Sequence, residues 1–335
     1  MLTHHNIISN IRAIISFFDF NAADTTLSFL PLSHIFERMA GYYSILYGGG
    51  TIAYAENIDS LPKNLMEVRP TIFISVPRLY EKFYSRLMDN VAAQTGFKKK
   101  LTSWALKIGG QYAQVKGNSG AVTPLLRIKY AIADSLVFAK IRARFGGSLR
   151  LLVAGGAALP KQLAEFFYGI GITILEGYGL TETSPVIACN RPNQFKFGTV
   201  GVPIPGVEVK IAQDGEILTR GPHVMKGYYN KPQATADAID PEGWFHTGDI
   251  GEIDSEGFLR ITDRKKDLIK TSGGKYIAPQ YIENTLKTCK YVAQIVVVGD
   301  KRKFPSALIV PNWDNLRKLA SENKIADSEI LTNAN

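Results

Sequence analysis

The chain has 335 residues and formal net charge +9, with 45% hydrophobic and 21% charged residues, a length that suggests about two domains. This balance supports a large core and excludes a disordered, collagenous or coiled-coil chain; no apolar run reaches the ~18 residues of a membrane-spanning helix. Two cysteines, Cys189 and Cys289, make no disulfide framework, which suits a reduced, cytoplasmic setting. From the start of the chain, MLTHHNIISNIRAIISFF lacks the charged n-region and small-residue cleavage site of a signal peptide. TLSFLPL (26–32), TIAYAE (51–56) and TIFISV (71–76) are β-branched and aromatic runs that predict strands, with helices over IFERMAGYYSIL and SLPKNLMEV between them. That alternation predicts βαβ crossovers and a mainly parallel sheet. Residues 81–145 carry helical patterns with little strand signal, an inserted helical layer. LRLLVAGGAALPKQLAEFF (149–167) returns to strand, glycine turn and helix, and ITILEGYG (172–179) is a strand running into a further glycine turn. Beyond 195 short strands and turns dominate, with hairpin tips at Asp214-Gly215 and around Glu256-Gly257. The charged run DRKKD at 263–267 marks a domain boundary. After it come a helix (PQYIENTLKTC) and the strands YVAQIVVVGD and SALIVP.

The positive charge is concentrated. Residues 78–150 hold fourteen Lys and Arg against only Glu81, Asp89 and Asp134, so the rest of the chain is slightly negative. A basic block of this kind suits nucleic acid, an anionic membrane surface or a phosphorylated ligand. Taken by itself, the block is explained more simply as a solvated helical face.

Four clusters carry chemistry. EGYGLTET, Glu176 to Thr183, follows a strand and joins two glycines, an aromatic ring, hydroxyls and an acid. Glycines let backbone approach a ligand, Tyr178 can stack a flat ring, and Thr181 and Glu182 offer hard oxygens for Mg²⁺ and phosphate. AGGAALP (154–160) is a second glycine turn, weak in isolation. In WFHTGDIG, Asp249 can accept two hydroxyls of a ribose diol. In ITDRKKDLIKTSGGKYIAP, Arg264 can reach ribose or phosphate, and Gly273 and Gly274 make a bendable loop. Each cluster taken singly is also explained by an ordinary surface turn or linker.

Taken together in this order, LPLSHIFER, AGGAALP, EGYGLTET, FHTGDIG and DRKKDLIKTSGGKYIAPQYIE resemble the AMP-forming acyl-CoA synthetases of the adenylate-forming superfamily, from residue 2 to about 313. The long stretch between VPRLYEKF and AGG resembles that of the long-chain fatty acid–CoA ligases. The resemblance implies an α/β fold: part of a layered adenylate-forming large domain with a β-rich subdomain over 1–263, then an incomplete small α+β domain over 264–335 after a hinge near Lys266. It implies a ligase that joins a long-chain fatty acid to CoA through an acyl-adenylate, with ATP and Mg²⁺, and no nucleic-acid partner. Transfer of the acyl group to a carrier protein, or a catalytically dead nucleotide- or acyl-binding module, are the alternatives.

By matching position, Tyr178 would line adenine, with Gly156 and Ala157 on its other side, and Gly155, Glu176, Gly177 and Gly179 would also belong to the nucleotide-binding set. Thr181 would contact phosphate and Glu182 would hold Mg²⁺. Asp249 and Arg264 would bind ribose, and His34 would sit by the carboxylate end of the acyl tunnel. Lys266 would be the hinge, and Ser272, Gly273 and Gly274 would approach the CoA arm. The family's phosphate loop falls before Leu2 and its catalytic lysine beyond the last residue, so the expectation is a fragment, inactive alone. For such an enzyme the basic block at 78–150 is expected to make peripheral contact with anionic membrane.

Overall fold

Short runs of β-branched and aromatic residues build the centre of the first unit. The computed structural model describes residues 1–117, 120–273, 276–287, 289–323 and 325–326. Two units are distinguished: Met1–Thr247 with Glu252–Ile261, and Gly248–Gly251 with Thr262–Asn335. In the first, strands β1 (Thr25–Ser28), β2 (Thr51–Tyr54), β3 (Ile72–Ser75), β4 (Leu151–Ala154), β5 (Ile174–Gly179), β6 (Val186–Cys189) and β7 (Val202–Pro203) form one sheet. Its spatial order is β2-β1-β3-β4-β5-β6-β7. The strands from β2 to β5 are parallel, and β6 and β7 are antiparallel additions at one edge. The fold is therefore mixed α/β with a largely parallel sheet, as the alternating pattern predicts.

Helices α1 (His4–Phe18), α2 (Ser44–Tyr47), α3 (Leu61–Val68), α4 (Pro77–Ala92), α5 (Gly96–Gly117), α6 (Pro124–Ala133), α7 (Ala139–Ala143) and α8 (Lys161–Gly169) accompany the sheet. All four residues of β3 and of β4 are buried, as in a sheet covered on both faces. Alternation divides them between two cores. Ile72, Ile74, Leu151 and Val153 join Ile11, Ile14, Phe18 and Met39. Phe73, Leu152 and Ala154 join Tyr80, Ile108, Phe138 and Phe167, from α4, α5, α8 and the segment between α6 and α7. The inserted helices thus form a layer of core-bearing helices, with Tyr112 and Tyr130 stacked at 4.0 Å between ring centroids.

One helical expectation needs correction. IFERMAGYYSIL is not a single α-helix: Glu37–Tyr43 is a π-helix, continued by the short α2. Apolar spacing reports which face is buried and leaves the hydrogen-bond offset open. A second π segment, Asp134–Phe138, joins α6 to α7.

A four-stranded sheet has the order β11-β10-β9-β8, from β8 (Glu208–Ile211), β9 (Glu216–Arg220), β10 (Phe245–Ile253) and β11 (Leu259–Arg264), with α9 (Pro232–Ala238) between β9 and β10. Both expected hairpin tips are present, with Gly215 and Gly257 at positive φ. The division between the units runs through β10 and β11. The second unit adds the pair β12 (Ile269–Lys270) and β13 (Tyr276–Ile277), helix α10 (Pro279–Lys287), the antiparallel pair β14 (Val292–Val298) and β15 (Ser306–Pro311), and α11 (Trp313–Asn323). Among the described residues no helix is long and apolar enough to cross a membrane.

Candidate active-site turns

In the first unit two motif turns leave the same end of the sheet. β4 and β5 are parallel neighbours, with Ala154 opposite Glu176. The AGG turn and residues 180–183 follow their C-terminal ends, where open α/β sheets bind ligands, but Gly177, Tyr178 and Gly179, expected in a glycine turn, are the last residues of β5 itself and pair with β6. Gly155 is buried, its N–H donates to the Ser75 carbonyl at 3.2 Å, and a Cβ there would lie 2.8 Å from the Phe36 ring. Gly156 has φ +78°, a backbone that side-chain-bearing residues avoid, and Gly156 and Ala157 are exposed.

Glu176 is buried and its carboxyl accepts the Leu159 backbone N–H, which ties β5 to the AGGAALP turn. Burial outweighs that bond and pushes its pKa up to about 8. Tyr178 is buried with Ile187, Ala188, Val200, Ile217 and Leu259. Gly177 pairs with Cys189 across β5 and β6. At Gly179 a Cβ would fall 1.7 Å from the Pro185 carbonyl oxygen, so only glycine fits the present backbone.

Thr181–Thr183 is a single 3₁₀ turn. It is fastened where the Leu180 N–H donates to Thr183 Oγ1 at 2.9 Å. Thr181 is exposed and Glu182 half-buried. Glu182 Oε1 accepts the Tyr228 hydroxyl at 2.9 Å, and the Glu182 carbonyl accepts the Met225 N–H at 2.7 Å. Burial, then the Glu182 carboxylate, push the Tyr228 phenol up to about 12, so it stays a donor. The motifs gave no hint of Tyr228, because its partner lies 46 positions away.

His34 is exposed, on a turn closed by its N–H to the Pro31 carbonyl at 2.9 Å. Its Nδ1 accepts the Phe36 N–H at 3.2 Å. The next residue but one past His34 is therefore the same Phe36 that lies over Gly155, which joins the LPLSHIFER and AGG segments.

In the second unit Asp249 is buried and its Oδ1 accepts Arg264 Nε at 2.9 Å, so the two residues expected at ribose form one ion pair. Lys266 is exposed, two residues past the end of β11. Ser272 and Gly273 are exposed as well, and the Ser272 N–H donates to the Arg302 carbonyl at 2.9 Å. Gly274 lies outside the described residues.

Among the described residues no group of three or more His, Cys, Asp and Glu is arranged to hold a metal ion. Mg²⁺ does not require such a cage, since it is commonly held by one or two carboxylates together with substrate phosphates. Glu182, with one oxygen turned to Tyr228 and its second without a hydrogen-bond partner among the described residues, fits that pattern.

Comparison with known proteins gives the chain its relatives. The family profile described as AMP-binding enzyme matches residues 1–229, and that described as AMP-binding enzyme C-terminal domain matches residues 266–334. The long-chain-fatty-acid–CoA ligase FadD15 of Mycobacterium bovis is 41% identical over 313 residues, covering 92% of this chain and 51% of that protein. Long-chain-fatty-acid–CoA ligase 5 of Mus musculus is 35% identical over 341 residues, covering 96% of this chain and 48% of its own length. The chain thus spans about half the length of these curated relatives. Among solved structures, o-succinylbenzoate CoA synthetase from Bacillus subtilis, in complex with its acyl-adenylate intermediate, superposes with TM-score 0.68 at 25% identity, over 96% of this chain and 59% of that one.

Proposed function

The chain belongs to the AMP-binding enzyme family, and from that premise we propose that the protein containing it is a long-chain fatty acid–CoA ligase. The observation that carries this reading is the 35–41% identity, across most of the chain, to proteins named for that reaction. In the first half-reaction a fatty-acid carboxylate oxygen attacks the α-phosphorus of ATP and pyrophosphate leaves. In the second the CoA sulfur attacks the acyl carbon and AMP leaves. Adenylation replaces an oxide, a hopeless leaving group, with a phosphate ester anion.

The residues are suited to parts of this task. Tyr178, Gly156 and Ala157 are the proposed adenine surroundings, and Gly155, Glu176, Gly177 and Gly179 complete the proposed nucleotide-binding set. Thr181 is assigned to phosphate, His34 to the acyl carboxylate end, and Asp249 and Arg264 to the ribose hydroxyls. Glu182 is the proposed holder of Mg²⁺, which would offset phosphate charge as the α-phosphorus is attacked. Lys266 is assigned to a hinge between half-reactions, and Ser272 and Gly273 to the CoA arm. The domain reading that goes with these assignments is a large domain through 263 and a small one from 264.

The test is thioester formation by the protein containing this chain, given ATP, Mg²⁺, CoA and acids of graded length. Equimolar acyl-CoA, AMP and pyrophosphate, strongest with long acids, is the expected result. Acyl transfer to a carrier protein but not to CoA would establish the acyl-AMP ligase instead. Nucleotide binding without turnover would establish a binding module.

A second element of the proposal is peripheral contact with anionic membrane through residues 78–150. A specific observation favours it. Leu125, Ile128, Ile132 and Leu136, on α6 and the π segment after it, are 44–63% exposed, close in sequence to Arg127, Lys129 and Lys140.

A further inference from the structure

The π-helix that follows the His34 turn begins at a glutamate with no assigned task. Glu37 is 1% exposed. Its Oε1 accepts the Ser28 hydroxyl of β1 at 2.5 Å, and its Oε2 is buried with no hydrogen-bond partner among the described residues. The carboxyl folds back over its own helix, where a Cβ on Gly41 would lie 2.6 Å from Oε1, so glycine at 41 makes the room. Phe36, its immediate neighbour, lies over Gly155 and donates its N–H to His34 Nδ1. One short segment therefore joins β1, the His34 turn and the AGG turn, and Glu37 is its polar anchor. π segments are rare, and those that occur are frequently at functional sites.

We propose that Glu37 is a positioning residue: by bridging to Ser28 it fixes the first turn of the π-helix, and so holds Phe36 on Gly155 and sets the His34 turn. The inference rests on the reading of His34 and Gly155 as part of the acyl-adenylate site. Its chemistry requires the neutral acid. An ionised carboxylate can accept about four hydrogen bonds, and here one is supplied in a dry site. Strands β1 (TTLS) and β3 (IFIS), packed against this helix, carry no titratable group. α1 contributes His4, His5 and Arg12, α2 contributes Tyr47, and the π-helix itself Arg38, Tyr42 and Tyr43. Arg38 gives its Nε to the Leu32 carbonyl at 2.7 Å. The influences on Glu37 are burial first, then Ser28's opposing hydrogen bond, and the result is a pKa raised to about 7.

The experiment compares Glu37→Gln, Glu37→Ala and the unaltered protein in fatty acid–CoA ligation across pH, with infrared spectra of the carboxyl region. Glu37→Gln mimics the neutral acid and can still accept from Ser28. It is expected to rescue the function that Glu37→Ala loses, about tenfold in kcat/KM for the fatty acid. Between about pH 7 and 8.5 the unaltered protein should lose about tenfold more activity than Glu37→Gln, because Glu37 ionises. Protonated-carboxyl absorbance near neutral pH that falls in Glu37→Gln, leaving the part that belongs to Glu176, completes the expected pattern. Parallel pH profiles for the unaltered protein and Glu37→Gln, or unchanged kinetics in Glu37→Ala, overturn the inference. A loss in Glu37→Ala that Gln does not rescue overturns it too, and marks a purely structural residue. If no acid is ligated to CoA but the absorbance still falls in Glu37→Gln, the functional reading fails while Glu37 is still shown to be neutral.

Discussion

At the scale of single residues, the acid most exposed to chemical test is Glu182. Its side chain and carbonyl are both held by the 225–228 segment, at 2.9 and 2.7 Å. Glu182→Gln keeps the Tyr228 hydrogen bond but removes the charge that suits a hard cation. Ligation should fall by about 10²-fold and be partly restored by excess Mg²⁺, since loss of one preorganised charge contributor has that order of effect. Tyr228→Phe removes only the neutral donor, so it should cost about fivefold, the equivalent of ~1 kcal/mol for one hydrogen bond. A flat Mg²⁺ response in Glu182→Gln would argue that this carboxylate does not meet the metal. Glu182 was legible in the sequence as an acid in a glycine turn. Tyr228 was not, because a contact between positions 182 and 228 leaves no mark in either local pattern. Glu37 was equally silent: LPLSHIFER shows an acid in a helix, and nothing in its spacing says that the acid points inward.

Two of the buried acids, Glu37 and Glu176, also set a pH dependence of stability. Burial raises Glu37 to about 7 and Glu176 to about 8 from an ordinary 4.5. The folded chain therefore holds these protons more tightly than the unfolded chain does. Their stabilising contribution is full below 4.5 and is lost as pH rises through the folded values. His223, buried and lowered to about 4 from 6.5, works in the opposite sense, and its contribution is lost as pH falls below 6.5. The window from 6.5 to 8 is where the glutamates act without that opposition. Stability should drop there by up to about 1.4 kcal/mol per pH unit for each acid. Denaturant midpoints of Glu176→Gln should show a shallower fall over this window, and an identical slope would contradict the neutral state of Glu176.

At the scale of elements, strands were the most legible. TIFISV and LRLLVA place β3 and β4 because runs this rich in β-branched and aliphatic residues suit strands buried on both faces. The π-helix was hidden, since apolar spacing over only seven residues marks a buried face without reporting whether the backbone bonds run to the fourth or the fifth residue. The C-terminal end of β5 shows a sharper limit. Gly177 and Gly179 look alike in EGYG, yet the nearest atom to a Cβ is 3.7 Å away at Gly177 and 1.7 Å away at Gly179. Gly179→Ala should therefore force β5 and the Pro185 turn apart and cost more than about 3 kcal/mol. Gly177→Ala should cost no more than about 1 kcal/mol. Unfolding curves that rank the two in the opposite order would show that the turn relaxes around a side chain.

At the scale of the whole molecule, the uneven charge was visible in the sequence and the apolar stripe beside it was not. Composition shows fourteen Lys and Arg in residues 78–150. Only the fold shows that Leu125, Ile128, Ile132 and Leu136 remain exposed while their neighbours Ala133, Val137 and Phe138 are buried. Spacings of three and four residues put the exposed four on one stripe. Charge alone favours solubility as much as docking, but an apolar stripe next to basic side chains matches the chemistry of an anionic bilayer, which offers both phosphate and acyl chain. Each Lys or Arg near such a surface adds ~1 kcal/mol, and the apolar side chains add to that by burial. The protein is accordingly expected to co-sediment with vesicles rich in anionic lipid and not with zwitterionic ones, less so as salt rises, because screening acts over ~8 Å at physiological ionic strength. Ile128→Asp with Ile132→Asp should abolish that binding at every salt concentration. Replacing Lys98, Lys99 and Lys100 with Gln should weaken it mainly at low salt, with the KM for CoA nearly unchanged. If instead the lysine variant raises only the KM for CoA and binds vesicles normally, these three lysines of α5 serve the phosphates of that substrate and are not part of a docking patch, whereas undiminished vesicle binding by the Ile128→Asp, Ile132→Asp variant would show that α6 is not a membrane anchor.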